Sequence, residues 1–97
     1  MAVTFVLVAR VPAAGVERFR RYEAAVLPLL ADHGAVLERR LRSASGEVEV
    51  HVIAFPSHDA LAAYRADPRR ARHAPDLEAS GATTELLELA DVPVATA

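Results

Sequence analysis

Five ionisable side chains on three predicted strands are the strongest candidates for chemistry in this sequence. They are Arg10, Glu38, Arg40, Glu49 and His51, of which the last four lie on two strands joined by a short loop. An imidazole beside a carboxylate can act as a general base or can orient a small anionic or enol-like ligand. We therefore take His51, Glu38 and Arg40 as candidate catalytic residues, and Arg10, Glu49 and His51 as candidate ligand-binding residues.

Tyr64 and His73 are two further candidates for ligand binding. His73 follows a run of arginines in the turn after the second predicted helix, where it could meet an acidic ligand. A solvated helix end, with arginines near the negative end of the helix dipole, explains the same cluster without a ligand. The strand residues have a comparable alternative, because cross-strand ion pairs that fix the sheet also perturb pKa values.

The remaining patterns predict neither a metal nor a cofactor. The four histidines, at positions 33, 51, 58 and 73, fall on different predicted elements and lack the spacing of a metal site. The sequence contains no cysteine, no glycine-rich phosphate loop and no serine elbow motif. The candidates named above therefore remain the strongest ones for chemistry in this sequence.

The composition predicts one domain, residues 1–97, that binds neither nucleic acid nor membrane. Basic and acidic residues number 11 and 13, for a net charge of −2, whereas both of those partners select a basic surface. No apolar run approaches the roughly 18 residues that span a bilayer. The first ten residues lack the basic region and cleavage site of a signal peptide, so we expect a cytoplasmic protein.

Two periodicities place the candidate residues on elements in the order βαββαβ. Alternating apolar residues predict strands at about 3–11, 35–42, 47–55 and 83–90. Helical spacing predicts helices at about 16–33 and 58–67, with a short helical continuation at about 69–78. Pro28 should bend or weaken the first helix, and Gly34 should end it.

This order predicts an α+β, ferredoxin-like fold, in which a four-stranded antiparallel sheet of order 4-1-3-2 carries both helices on one face. The hydrophobic content of 53% is high for a short chain, and the opposite face is left bare. An exposed apolar face predicts an interface, and we expect a homodimer. The side chains expected on that face are Val6, Val8, Val36, Ile53, Leu87 and Leu89, together with Glu38, Arg40, Glu49 and His51.

The loop at residues 43–46 predicts the register of the central hairpin. Pairing across it places Arg40 opposite Glu49 and Glu38 opposite His51, so that acidic and basic side chains meet. A slip of one residue would exchange the two faces of a strand. We therefore expect the ion pairs to lie on the face that meets the partner sheet.

Two stretches resemble the dimeric α+β barrel superfamily. They are AFPSHDALAAYRADPRRARH, with a strand ending in Phe-Pro-Ser and a Tyr-x-x-Asp-Pro motif, and HGAVLERRLRS after the first helix. They resemble its uncharacterised members, which are related to the EthD-like, stress-responsive barrel and antibiotic-biosynthesis-monooxygenase families. The resemblance covers nearly the whole chain and implies two ferredoxin-like sheets that pack face to face in a homodimeric barrel.

Fold alone does not determine activity in this superfamily, so three functional hypotheses stay open. The first is an uncharacterised homodimer that binds a small, partly apolar organic molecule between its sheets. The second is a cofactor-independent enzyme, a monooxygenase or isomerase, that uses His51 with Glu38 and Arg40. The third is a structural or accessory domain. The resemblance implies Asn, Trp and His in oxygenase cavities, and this chain has neither Asn nor Trp.

Overall fold

The computed structural model describes residues 2–95, so Met1 and residues 96–97 of the predicted domain lie outside the described residues. The strands are β1 (Val3–Arg10), β2 (Val36–Arg42), β3 (Val48–Phe55) and β4 (Thr83–Leu89), and the helices are α1 (Val16–Val26), α2 (His58–Arg65), α3 (Pro68–Ala71) and α4 (Ala74–Ser80). The strands form one antiparallel sheet in the order β2-β3-β1-β4, which confirms the predicted fold. None of the described helices combines the length and hydropathy needed to cross a membrane.

The first predicted helix changes type near Pro28. The α-helix ends at Val26, and a 3₁₀ segment, Leu27–His33, continues the chain. Pro28 has no N–H to donate to the preceding turn and its ring crowds the carbonyl there, so the α-helical ladder is interrupted. Gly34 then adopts φ 71°, and it ends the segment as expected.

The second predicted helix is broken into shorter pieces by two prolines. Helix α2 ends at Arg65, two residues before the predicted end, and the continuation consists of α3 and α4. Pro68 and Pro75 stand in the first turns of α3 and α4, where a missing N–H has no cost. The Asp67 side chain accepts from the backbone N–H of Arg69 and thereby caps α3.

The hairpin register differs from the prediction by two residues. Arg42 lies opposite Glu49, and Arg40 lies opposite His51. The loop is the cause, because Ser43 is bound to Val48 by a backbone hydrogen bond of 2.9 Å and a side-chain hydrogen bond of 3.1 Å. The chain therefore reverses later than the sequence suggests.

A β-bulge in β2 then shifts the register again. The pairing changes between Leu37 and Arg39, which leaves Glu38 outside the ladder as the extra residue. Glu38 is exposed and does not pair with His51, so the predicted cross-strand pair is wrong. The alternation of apolar residues in a strand does not mark a bulge, so this bulge could not be predicted from the sequence pattern.

The predicted face of β3 is also wrong. Its residues Glu49, His51 and Ile53 are buried, and they lie opposite β1 residues that face the helices, among them Phe5. Because paired residues point to the same side of a sheet, Glu49 and His51 lie under the helix layer. Arg40 pairs with His51 and shares that side. The prediction that apolar residues lie on the open face is confirmed for five of them, because each is paired with a residue of that face. They are Val6, Val8, Val36, Leu87 and Leu89.

Candidate functional site

A buried ionic cluster lies between α1 and the sheet. It consists of Glu23, Arg40, Arg42, Glu49 and His51, of which the two glutamates and the histidine are at most 2% exposed. The Nε2 atom of His51 lies 2.9 Å from Glu23 Oε2 and 2.5 Å from Glu49 Oε2. Arg40 donates to both carboxylates at 3.1 Å, and Arg42 donates to Glu49 at 2.6 Å. Each carboxylate is thus shared between the imidazole and at least one guanidinium group.

Glu23 is the member of the cluster that the sequence analysis missed. It lies on α1 four residues after Phe19 and three residues before Val26, both of which are buried. A carboxylate at that spacing falls on the apolar stripe of the helix, where a charge is costly unless it is paired. An acid within an otherwise apolar stripe was therefore the available signal for Glu23.

The cluster separates the protonation states of its two carboxyl groups. Burial raises the pKa of Glu23, and the nearby charge of Glu49 adds to this effect. Burial acts in the same direction on Glu49, but hydrogen bonds from Glu23, His51 and the two arginines outweigh it and lower the pKa of Glu49 to about 2. Glu49 is the permanent carboxylate of the pair, and Glu23 is the group that more readily holds a proton.

His51 is held in one orientation by these carboxylates. Burial alone would lower the pKa of His51, but hydrogen bonds and charges of Glu23 and Glu49 outweigh burial and raise it above its ordinary value. Its Nε2 atom faces the carboxylates, while the buried Nδ1 atom has no hydrogen-bond partner among the described residues. An imidazole with one nitrogen fixed by a carboxylate and the other nitrogen free is the arrangement of a general base.

A cavity of about 140 Å³ adjoins this cluster between the helices and the sheet. His51 and Glu23 form part of its wall, and aliphatic and Phe side chains supply most of the remainder. Its other polar lining residues are Tyr22, Tyr64, Arg65, Arg70 and Thr84. The cavity therefore offers apolar surface beside a few polar groups, which is the usual constitution of a small-molecule site.

The predicted ligand-binding residues separate into three groups. His51 and Tyr64 both line the cavity. Glu49 lies in the ionic cluster behind His51, and it orients that ring. Arg10 is exposed at the end of β1, and His73 stands at the start of α4; neither belongs to the cavity wall.

The spacing of the cluster also suits a metal ion. One ligand atom from each of Glu23, Glu49 and His51 lies within 4.8 Å of the others. Arg40 and Arg42 already neutralise these carboxylates, so a divalent cation would bring two more positive charges to a site without excess negative charge. Proton transfer suits this cluster better than metal binding.

Comparisons with known proteins bear on the fold. No family model matches the sequence, and no curated protein matches it significantly. Among solved structures, Rv0793 from Mycobacterium tuberculosis has a TM-score of 0.74 at 18% identity, over 99% of this chain and 100% of the other. SnoaB, a cofactor-independent oxygenase from Streptomyces nogalater, has a TM-score of 0.69 at 28% identity, over 96% and 95%.

A third similar structure is a dimeric ferredoxin-like protein of unknown function from a Jannaschia species. Its TM-score is 0.64 at 18% identity, over 89% of this chain and 99% of the other. The strand order, the helices on one face and these similarities agree with each other. The chain has the ferredoxin-like fold of the dimeric α+β barrel superfamily.

Proposed function

We propose that this protein is a homodimer in which each protomer binds a small, partly apolar organic molecule in the cavity beside His51. The sequence predicts a ligand between the two sheets of a dimer, but His51 and Tyr64 line a cavity on the helix side of a single protomer. An apolar cavity of roughly 150 Å³ is known to bind benzene, whereas drug-sized ligands need roughly 300 Å³ or more. A cavity of about 140 Å³ therefore suits a ligand of about one ring.

One observation carries this proposal, namely that His51, whose buried Nδ1 atom has no hydrogen-bond partner among the described residues, lines a largely apolar cavity. A buried polar atom without a hydrogen-bond partner costs free energy. A ligand hydroxyl that hydrogen-bonds to Nδ1 would remove that cost. The binding of a molecule with one polar group on an apolar body is thus favoured over a structural or accessory role.

The same atom supports a second candidate function, a cofactor-independent enzyme of the oxygenase or isomerase type. With Nε2–H donated to Glu49, His51 Nδ1 can accept the proton of a phenol or enol hydroxyl. The products of that step are the imidazolium ion, which Glu49 stabilises, and a phenolate or enolate. The similarity to SnoaB supports this candidate. Because the chain has neither Asn nor Trp, its chemistry would depend on His51.

The homodimer is proposed from the open face of the sheet. Val36, Leu41, Val48, Leu87 and Leu89 are each at least 37% exposed there, which is unusual for a row of large apolar residues. A second copy of the chain offers the same apolar surface. The similarity to a dimeric ferredoxin-like protein supports this partner. A cytoplasmic location stays a prediction from the sequence.

The test is a thermal-shift screen of single-ring phenols and enolisable ketones on the wild type and on His51→Ala. The screen is run at pH values on either side of about 6.5, the ordinary pKa of histidine. We expect the variant to bind at least one ligand more weakly by about 1 kcal/mol, the usual value of one hydrogen bond. His58→Ala, which replaces an exposed histidine, is the control. Equal stabilisation of both proteins at every pH would show that His51 is structural.

A further inference from the structure

Arg70 is the arginine of the cavity wall that is held in place without an acidic partner. Its guanidinium carbon lies 4.5 Å from the centre of the Tyr64 ring, and it donates to the Tyr22 hydroxyl at 3.1 Å and to the backbone carbonyl of Arg65 at 3.3 Å. Its Nε atom is buried without a hydrogen-bond partner among residues 2–95. The guanidinium group is thus held by neutral groups, and its Nε–H has no partner among these residues.

Three other arginines of this protein have the carboxylate partner that Arg70 lacks. Arg40, Arg42 and Arg69 each form an ion pair with at least one carboxylate at 3.1 Å or less. Within the described part of the chain, Arg70 has no carboxylate within 4.0 Å. A partly buried positive charge without a counter-ion is unfavourable, and an anion placed against its fork-shaped donors relieves that cost.

We propose that Arg70 binds the anionic group of the ligand, and that the ligand is a small organic acid with one ring, of the aryl carboxylate class. This inference rests on the proposed function, because it assigns the ligand to the same cavity. The carboxylate would pair with Arg70, and the ring would lie against the apolar lining. Tyr22 and Tyr64 are positioning residues, because they hold the guanidinium group through a hydrogen bond and the face of a ring.

The charge of the neighbouring cluster agrees with an acidic ligand. Glu49 is already shared by Arg40, Arg42 and His51, and it does not line the cavity. Glu23, the acid in the cavity wall, has a raised pKa through burial and through the nearby charge of Glu49. The repulsion that would keep a carboxylate out of the cavity is therefore reduced.

The experiment is calorimetric titration of the full chain with benzoate, benzamide and phenol at pH 7. We expect the wild type to bind benzoate about tenfold or more tightly than benzamide, which has nearly the same shape without the charge. Arg70→Gln should lose about tenfold or more in benzoate affinity, because a charge-assisted pair is lost, and should retain its affinity for benzamide. Arg72→Gln, which removes an exposed arginine from the same segment, should leave both affinities unchanged.

Two further variants test whether Arg70 is the residue that binds the carboxylate. Arg70→Lys keeps the positive charge but lacks the planar pair of N–H donors, so we expect it to lose part of its benzoate affinity. This variant provides the test if Arg70→Gln folds poorly. Arg65→Gln tests the other arginine of the cavity wall, and a loss there instead of at Arg70 would overturn the assignment. Equal binding of benzoate and benzamide by the wild type, or binding of phenol alone, would refute the anionic ligand but not the cavity. Failure of all three probes to bind would refute both proposals.

Discussion

Strand β3 presents charged side chains to one face of the sheet and only valines, at three successive positions, to the other. On the helix face, β3 presents Glu49 and His51 beneath α1, where their charges are paired. On the open face, the same strand presents Val48, Val50 and Val52. The charged set is buried, and the uniformly apolar set is the one that the helices of this chain leave uncovered. The hydrophobicity of a strand face therefore does not say whether helices of the same chain cover that face.

The difference has an energetic reason. A charge can be buried beneath a helix that supplies an opposite charge or a hydrogen bond, as Glu23 on α1 and the arginines on β2 do here. The described helices do not lie over the open face, so they supply no partner for a charge there. The helix face can therefore support chemistry, whereas the open face is suited to association.

The largest effect is expected on the helix face, from Glu49→Gln. This change leaves Arg40, Arg42 and His51 without their shared carboxylate, and breaking a buried charge pair costs about 3–5 kcal/mol. The free energy of unfolding in urea is the measurement. The control is Glu88→Gln, since Glu88 forms an exposed pair with His58 whose loss should cost at most about 1 kcal/mol. Equal losses for the two variants would contradict the contrast between buried and exposed pairs.

A somewhat smaller effect is expected on the open face, from Val8→Asp. The substitution would bury an unpaired carboxylate at the contact between two copies, and we expect the dimer dissociation constant to rise by roughly a hundredfold, or about 3 kcal/mol. Gel filtration with light scattering measures the assembly. Val92→Asp makes the same change at an exposed position outside the sheet and should leave the dimer intact. If the dimer dissociation constant of Val8→Asp equals that of the wild type, the open face is not the interface.

The smallest effect concerns the pH dependence of stability. The pKa of His51 is raised in the folded protein above its ordinary value of 6.5, because its two carboxylate partners outweigh burial. A raised pKa stabilises the protein fully below pH 6.5, and this stabilisation is lost as pH rises through the folded pKa. We expect the free energy of unfolding to fall above pH 6.5 by at most about 1.4 kcal/mol per pH unit. His51→Gln should flatten that slope, and equal slopes would refute the role of the cluster.

Much of the fold could be predicted from the sequence because its signals are local. The period of the apolar residues predicts four strands and the helical segments, and the order βαββαβ predicts the sheet order that the structure confirms. Pro28 and Gly34 act through their own backbone geometry, and each does what its chemistry requires. The sequence predicts His51 and Tyr64 as ligand-binding residues, and both line the cavity.

Only the tertiary structure decided which groups meet. Ser43 and the bulge at Glu38 shift the hairpin register, and nothing in the alternation of residues marks either. His51 is hydrogen-bonded to Glu49 of its own strand, and its second carboxylate neighbour is Glu23, from a helix 28 positions earlier in the chain, rather than Glu38 on the adjacent strand. The sequence determines the period of each strand, but its two faces are equivalent until a helix packs against one of them. That packing depends on contacts between distant residues, which is why the location of the site could not be read from local pattern.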